Sequence, residues 1–232
     1  MSITKLSFII PCLNEEKYIV ETLQRLQKCR HHGHEIILSD GGSKDRTIEF
    51  AKPLIDQHII TSAGRAKQMN QGAKVANGNI LCFLHADTLA PESIDEAILE
   101  FENKFSWGFF QIKLSGKHWQ FRIIEWMINN RSQISQIASG DQGIFVTRTL
   151  FNKISGFSEM PLMEDIELSK RLKKISPPVC IRRTRLNTSS RRWEKHGIIR
   201  TVLLMWGLRL AYFLGTPTNT LAKAYSNHAQ KK

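Results

Sequence analysis

Short runs of β-branched and apolar residues alternate with stretches of helical periodicity. That rhythm specifies βαβ units and a mostly parallel sheet. The strand-like runs are Leu6 to Ile10, Glu35 to Ser39, His58 to Thr61 and Ile80 to Leu84, the last apolar throughout, as suits a strand covered on both faces. Between them, Ile19, Leu23 and Leu26 keep helical spacing after Asn14-Glu15-Glu16, whose acids suit a helix N-terminus. Asp40-Gly41-Gly42-Ser43 makes a turn, and further helices run from about Asp45 to Leu54 and from Gln68 to Ala76. Later, Trp107 to Leu114 and Gly143 to Thr147 read as strands, and Asp165 to Lys174 as a basic helix begun by an acidic pair. No repeat or linker interrupts them, so no domain boundary is expected before about Ile181.

A hydrophobic content of 41% and a charged content of 23% exclude wholesale disorder and a multi-span membrane protein. The net charge of +12 suggests nucleic acid until it is located. Residues 1–165 balance at −1 and residues 166–232 at +13. A basic, apolar-rich tail fits an anionic membrane surface or a phosphate-bearing substrate at least as well as a nucleic-acid backbone. Cys12, Cys29, Cys82 and Cys180 form no Cys-x-x-Cys pair, which argues against structural zinc and a disulfide framework and points to a reducing cytosol. Met1 to Pro11 holds one lysine and then a strand-like run, the expected start of the fold and not a signal peptide.

In an open parallel sheet, ligands bind beyond the carboxyl ends of the strands. Three such ends carry polar residues: Pro11-Cys12-Leu13-Asn14-Glu15, Asp40-Gly41-Gly42-Ser43 and His85-Ala86-Asp87. Taken singly, Asp40 and Asp87 read as turn or helix caps. Taken together, they read as carboxylates around one crevice.

The ordered blocks resemble family 2 glycosyltransferases of the GT-A fold. Ser7 to Glu16 is similar to that family's first strand and loop, Glu35 to Thr47 to its second, and Gly64 to Ala73 to the next block. Leu84-His85-Ala86-Asp87-Thr88 stands where the family has its Asp-x-Asp motif, with His85 in place of the first aspartate. Gly140-Asp141-Gln142, Met163-Glu164-Asp165 and Arg191-Arg192-Trp193 follow in family order. The resemblance implies a Rossmann-like α/β domain over residues 1–195, with a mixed, mostly parallel sheet flanked by helices, and a basic, apolar helical tail over 196–232.

The resemblance also implies roles. Pro11, Asn14 and Glu15 would contact the donor nucleotide, Asp40 with Gly41 its base or ribose, and His85 with Ala86 the donor beside them. Asp87 would bind a divalent cation, Mg2+ or Mn2+, bridging the donor diphosphate, since hard cations prefer oxygen ligands. His85 is open to three readings: ligand of a softer ion, partner of the ribose, or space-filler at the strand end. Asp165, supported by Glu164, would be the general base of a single inverting displacement, its pKa raised by the adjacent carboxylate. Arg65, Gln68, Arg192 and Trp193 would reach the diphosphate or sugar, and Asp141 and Gln142 the acceptor or donor sugar.

The most apolar stretch, Ile198 to Gly215, is interrupted by Arg200 and Arg209. An arginine mid-span costs about 2.5 to 3.5 kcal/mol on insertion scales, so spanning is disfavoured. The two arginines fall on opposite sides of a helix, a poor single-faced amphipath. The expected placement is partly on the domain and partly in the inner membrane interface, with Arg182, Arg183, Arg185, Arg191 and Lys195 facing anionic headgroups. Trp119 to Ile128 is a second interface candidate, read mainly as core. Both segments make a lipid-like acceptor an expectation: a polyprenyl phosphate, a glycolipid or a carotenoid acid. Three other readings compete with this one. A nucleotidyltransferase needs a Gly-rich loop and a basic residue at the first strand end. A nucleic-acid binder leaves the acidic strand ends unexplained. A catalytically silent sugar-nucleotide binder is motivated by His85.

Overall fold

The computed structural model describes residues 4–230, with side chains through residue 226. The reading of residues 1–3 as the start of the fold, and of 231–232 as the end of the tail, lies outside the described residues. Eight strands form one sheet in the order β3-β2-β1-β4-β7-β6-β8-β5. They are β1 (Leu6–Cys12), β2 (Glu35–Asp40), β3 (Gln57–Ile60), β4 (Ile80–Phe83), β5 (Thr88–Leu89), β6 (Trp107–Leu114), β7 (Ile144–Thr147) and β8 (Val179–Thr188). The contiguous block β3-β2-β1-β4 is parallel; β7 then pairs antiparallel with both β4 and β6. The first helices are α1 (Ile19–Gln24), α2 (Gln27–His31), α3 (Thr47–Ala51), α4 (Arg65–Val75), α5 (Ile94–Leu99) and α6 (Trp119–Ser135). They are followed by α7 (Arg148–Lys153), α8 (Glu164–Lys173), α9 (Arg191–His196), α10 (Ile198–Phe213) and α11 (Thr218–Gln230).

Alternation along β1 supplies both faces of the sheet. Leu6, Phe8 and Ile10 enter one core with α1, α2 and α5, while Ile9 enters the other with α4 and α8. A third, smaller cluster of Ile137, Met163, Ile166, Leu208 and Leu221 packs α10 and α11 onto the domain. β1 runs two residues beyond its expected end at Ile10, through Pro11 and Cys12. Proline is tolerated there because Leu84 N–H donates to Ile9 O at 3.1 Å as β4 ends. Pro11, two residues on and on the same side of the strand, faces no further ladder partner that would need its missing N–H.

Asn14-Glu15-Glu16 is a loop and not the start of a helix. Asn14 takes the left-handed backbone conformation at φ 55°, and its side-chain oxygen accepts from Lys44 N–H at 2.8 Å. Glu15 N–H donates to Thr47 Oγ1 at 2.7 Å and Glu16 N–H to Asp45 Oδ2 at 3.2 Å, so the first loop is fastened to the second. The strand β8 was hidden in the sequence by Arg182, Arg183 and Arg185. It pairs parallel with β6, with a register shift: Phe110 meets Ile181 and Ile112 meets Leu186, so the arginine segment bulges outward. Those three side chains are exposed.

Candidate functional site

The carboxyl ends of β1 and β4 open into a cavity of about 950 Å³. Pro11 enters from the end of β1 and Glu15 from the loop after it, Arg65 from the first turn of α4, and His85, Ala86 and Asp87 from the segment after β4. Across from them stand Asp141, Asp165, Arg192 and Trp193. The volume is that of a site for a ligand of nucleotide-sugar size.

Six residues singled out by sequence lie elsewhere. Asp40 is 2% exposed, and its carboxylate accepts from Gly42 N–H and Ser43 N–H, each at 2.8 Å. It closes the turn after β2. Gln68 sends its amide nitrogen to Cys12 O and Ser39 O, each at 2.8 Å, and so pins the ends of β1 and β2 together. Gly41 packs against that amide: a Cβ there would meet Gln68 Nε2 at 3.2 Å. Asn14 joins the two loops as described above. Gln142 is fully buried and accepts from Ser132 Oγ at 2.6 Å and Ser139 N–H at 2.9 Å. Glu164 faces a separate small void behind the cavity, shared with His85, Gly140 and Asp165.

At one end of the cavity, Arg191 Nη2 donates to Asp87 Oδ2 at 2.9 Å and lies 3.9 Å from Glu15 Oε2. Its guanidinium stacks over Tyr18 at 3.8 Å. Burial and the neighbouring Asp87 raise the Glu15 pKa, while Arg191 and Arg65 pull it back. Two carboxylates at one seat, balanced by a guanidinium, are an oxygen donor set that suits a hard divalent cation. Arg191 is therefore turned into the cavity, not toward headgroups as its place in the basic run suggested. Beside it, burial and the Arg65 charge lower the Arg192 pKa to about 10, and Arg192 stacks over Tyr225 at 3.9 Å. The Trp193 indole N–H is buried with no hydrogen-bond partner among the described residues.

At the other end, Met163 adopts φ 70° and turns the chain sharply into α8, which sets Glu164 and Asp165 side by side. Gly140 N–H donates to Asp165 Oδ2 at 2.7 Å. A Cβ on Gly140 would lie 2.7 Å from His85 Nε2, so this glycine lets the backbone approach both groups. Burial and the Arg65 charge lower the His85 pKa and favour the neutral ring. Burial first, then the neighbouring Asp165 charge, raises the Glu164 pKa to about 7.

The tail supplies residues that the sequence reading did not assign to the site. Arg209, Met205 and Trp206 of α10 line the cavity, as does Arg131 of α6. The available signal was one arginine inside an otherwise apolar run. Arg200 is exposed, on the opposite side of α10 from Arg209, as the helical spacing required. Exposed Ile199, Leu203, Trp206, Leu210 and Phe213 form an outward apolar stripe along α10. No helix among the described residues is long and apolar enough to cross a membrane. The one close His/Cys/Asp/Glu cluster among the described residues, His32, Asp95 and Glu96, does not line the cavity.

Glycosyltransferase GlyG of Streptococcus pneumoniae is 28% identical over 102 residues, covering 41% of this chain and 34% of that protein. The chain thus spans about a third of that relative's length. TarS of S. aureus in complex with UDP-GlcNAc superposes with a TM-score of 0.63 at 17% identity, covering 80% of this chain and 58% of TarS. The mannosyltransferase PcManGT of Pyrobaculum calidifontis, in complex with GDP-Man and Mn2+, does so with a TM-score of 0.66 at 16% identity, covering 99% of this chain and 71% of the other. With residues 7–153 matching the model of glycosyl transferase family 2, the chain belongs to that family and carries it on a GT-A fold.

Proposed function

We propose that this chain transfers a hexose from a nucleoside diphosphate sugar, a UDP sugar in the first instance, to a lipid-like acceptor by one inverting displacement. The observation that carries the reading is the meeting in one cavity of Asp87 and Glu15 at one end and Asp165 at the other. Residues 1–195 form the transferase domain, and the tail over 196–232 completes the acceptor side.

Asp165 takes the proton from the acceptor hydroxyl as that oxygen attacks the anomeric carbon, with Gly140 N–H holding the carboxylate in place. Glu164, protonated about half the time near neutrality, limits the negative charge packed beside the base. Arg65 and Arg192 receive the diphosphate, which planar guanidinium groups bind bidentately. Pro11 and Trp193 wall the nucleotide and sugar, and Asp141 faces the acceptor. Asp87 beside Glu15 would hold a divalent cation, Mg2+ or Mn2+, which would supply charge neutralisation for the leaving diphosphate. Asp40, Gly41 and Gln68 act one step removed, by setting the loops that Glu15 and Arg65 stand on.

A binding screen across uridine, guanosine and thymidine diphosphate sugars, with and without Mn2+, tests the reading. No binding to any donor would sink it. With a bound donor, Asp165→Asn is expected to abolish transfer at unchanged donor affinity.

Support for membrane contact is the apolar stripe on α10 together with exposed Trp119, Ile123 and Trp126 on α6 and the exposed arginines of β8. Flotation with vesicles containing anionic lipid is the direct check, and a wholly soluble protein in that assay removes this part of the proposal.

A further inference from the structure

Arg131 of α6 and Arg209 of α10 both line the cavity, and neither forms an ion pair among the described residues. Arg131 donates through Nη2 to Ser132 Oγ at 2.8 Å and Ser139 Oγ at 3.2 Å, while its buried Nε has no hydrogen-bond partner among the described residues. Burial first, then the Arg209 charge, lowers the Arg131 pKa to about 10, against the pull of Asp141 and Asp165. Holding two guanidinium groups together in a half-dry wall costs stability unless an anion offsets it.

Arg192 stands in the field of Arg65, Asp87 and Arg191, whereas Arg131 and Arg209 stand in the field of Asp141 and Asp165. The arginine pair therefore keeps company with Asp165 and Asp141, the groups assigned above to the acceptor, and not with the groups assigned to the donor diphosphate. The same cavity is lined by apolar Ile124, Met127, Val202 and Met205 and by Trp126 and Trp206, which are 66% and 57% exposed.

We propose that Arg131 and Arg209 bind an anionic group, a phosphate or carboxylate, on the acceptor. The inference rests on the transferase reading and names the acceptor's class. A lipid-linked phosphate and a water-soluble phosphorylated acceptor share this chemistry, and the apolar wall accommodates the first.

The test is calorimetric titration of the full chain, alone and saturated with UDP and Mn2+ or GDP and Mn2+, using geranyl phosphate, geraniol and glycerol 3-phosphate as probes. Geranyl phosphate is expected to bind at least about tenfold more tightly than geraniol, the scale of one charge-assisted hydrogen bond. Arg131→Gln and Arg209→Gln should each remove about that factor, while Arg209→Lys keeps most of it. Thermal melts of each variant separate lost binding from lost folding. Tight glycerol 3-phosphate binding through the same arginines supports the site with a soluble acceptor; a preference for geranyl phosphate supports it with a lipid one. Equal affinity for geraniol and geranyl phosphate, or variants that bind as the parent does, overturns the proposal. Failure of every nucleotide to bind would instead remove the transferase reading, and the probes on the chain alone still decide the arginine site.

Discussion

Arg191 and Asp87, 104 residues apart in sequence, are joined at 2.9 Å in the wall of the cavity. On the proposed reading, in which Asp87 binds a divalent cation, the guanidinium competes with that cation for the carboxylate. A unit charge about 4 Å from a cation near a protein surface costs up to about 4 kcal/mol, and a third of that is about tenfold in affinity. Arg191→Gln is expected to tighten Mn2+ binding in the absence of nucleotide by about tenfold, read by electron paramagnetic resonance of free Mn2+. Unchanged affinity means that the pair does not compete with the cation.

Gln68 tests the difference between a ligand-binding and a loop-setting residue. Its amide nitrogen satisfies Cys12 O and Ser39 O, both at 2.8 Å in a buried setting. Cys12 O keeps a second donor, Gly41 N–H at 2.9 Å, so the substitution removes two buried hydrogen bonds worth about 0.5 to 1.5 kcal/mol each. Gln68→Ala should therefore lower unfolding free energy by about 1 to 3 kcal/mol in urea denaturation. A variant that keeps its stability and loses only donor affinity would return Gln68 to the donor.

Gly72 lies where α4 crosses β1, and a Cβ there would meet Ile9 Cγ2 at 2.5 Å. Alanine gains about 1 kcal/mol of helix propensity at an interior position. Overpacking a tight core costs about 1 to 3 kcal/mol, and the β-branched Ile9 has little rotamer freedom to yield. Gly72→Ala is expected to lower the melting temperature, because packing outweighs propensity; a raised value reverses that ranking.

Glu164 gives a pH signature. Burial and Asp165 raise its folded-state pKa from 4.5 to about 7, so folding favours the protonated acid. Its contribution is most favourable below the unfolded value and is lost as pH rises through the folded one. Stability of the parent should fall between about pH 4.5 and 7 more steeply than that of Glu164→Gln. Parallel stability curves for the two proteins over that window would rule out the raised value.

The first half of the fold was legible because local periodicity and turn residues are written in adjacent positions: Leu6–Cys12, Glu35–Asp40 and Ile80–Phe83 all emerge close to where the apolar runs stand. The errors have physical causes. Asn14 departs from the helix pattern because it bonds Lys44 in the next loop, and β8 escaped notice because three arginines bulge out of it. Of the site, Glu15, Arg65, Asp87, Asp165, Arg192 and Trp193 were legible as blocks in order, and they do line one cavity. Asp40 and Gln68 could not be separated from them by sequence, since a turn-closing carboxylate and a ligand-facing one are the same residue type at the same strand end.

By itself the sequence determined the βαβ rhythm, the acidic strand ends and the concentration of basic charge in the last third. These are properties of neighbours along the chain, set by backbone propensity and hydrophobic period. Only the tertiary structure decided that Arg191 closes on Asp87, that burial raises the Glu164 pKa, and that Arg131 and Arg209 line one cavity with no ion pair among the described residues. The role of a charge depends on its burial and on which opposite charge the fold brings within a few ångströms, and in each of these cases that environment is built by elements far apart in the chain.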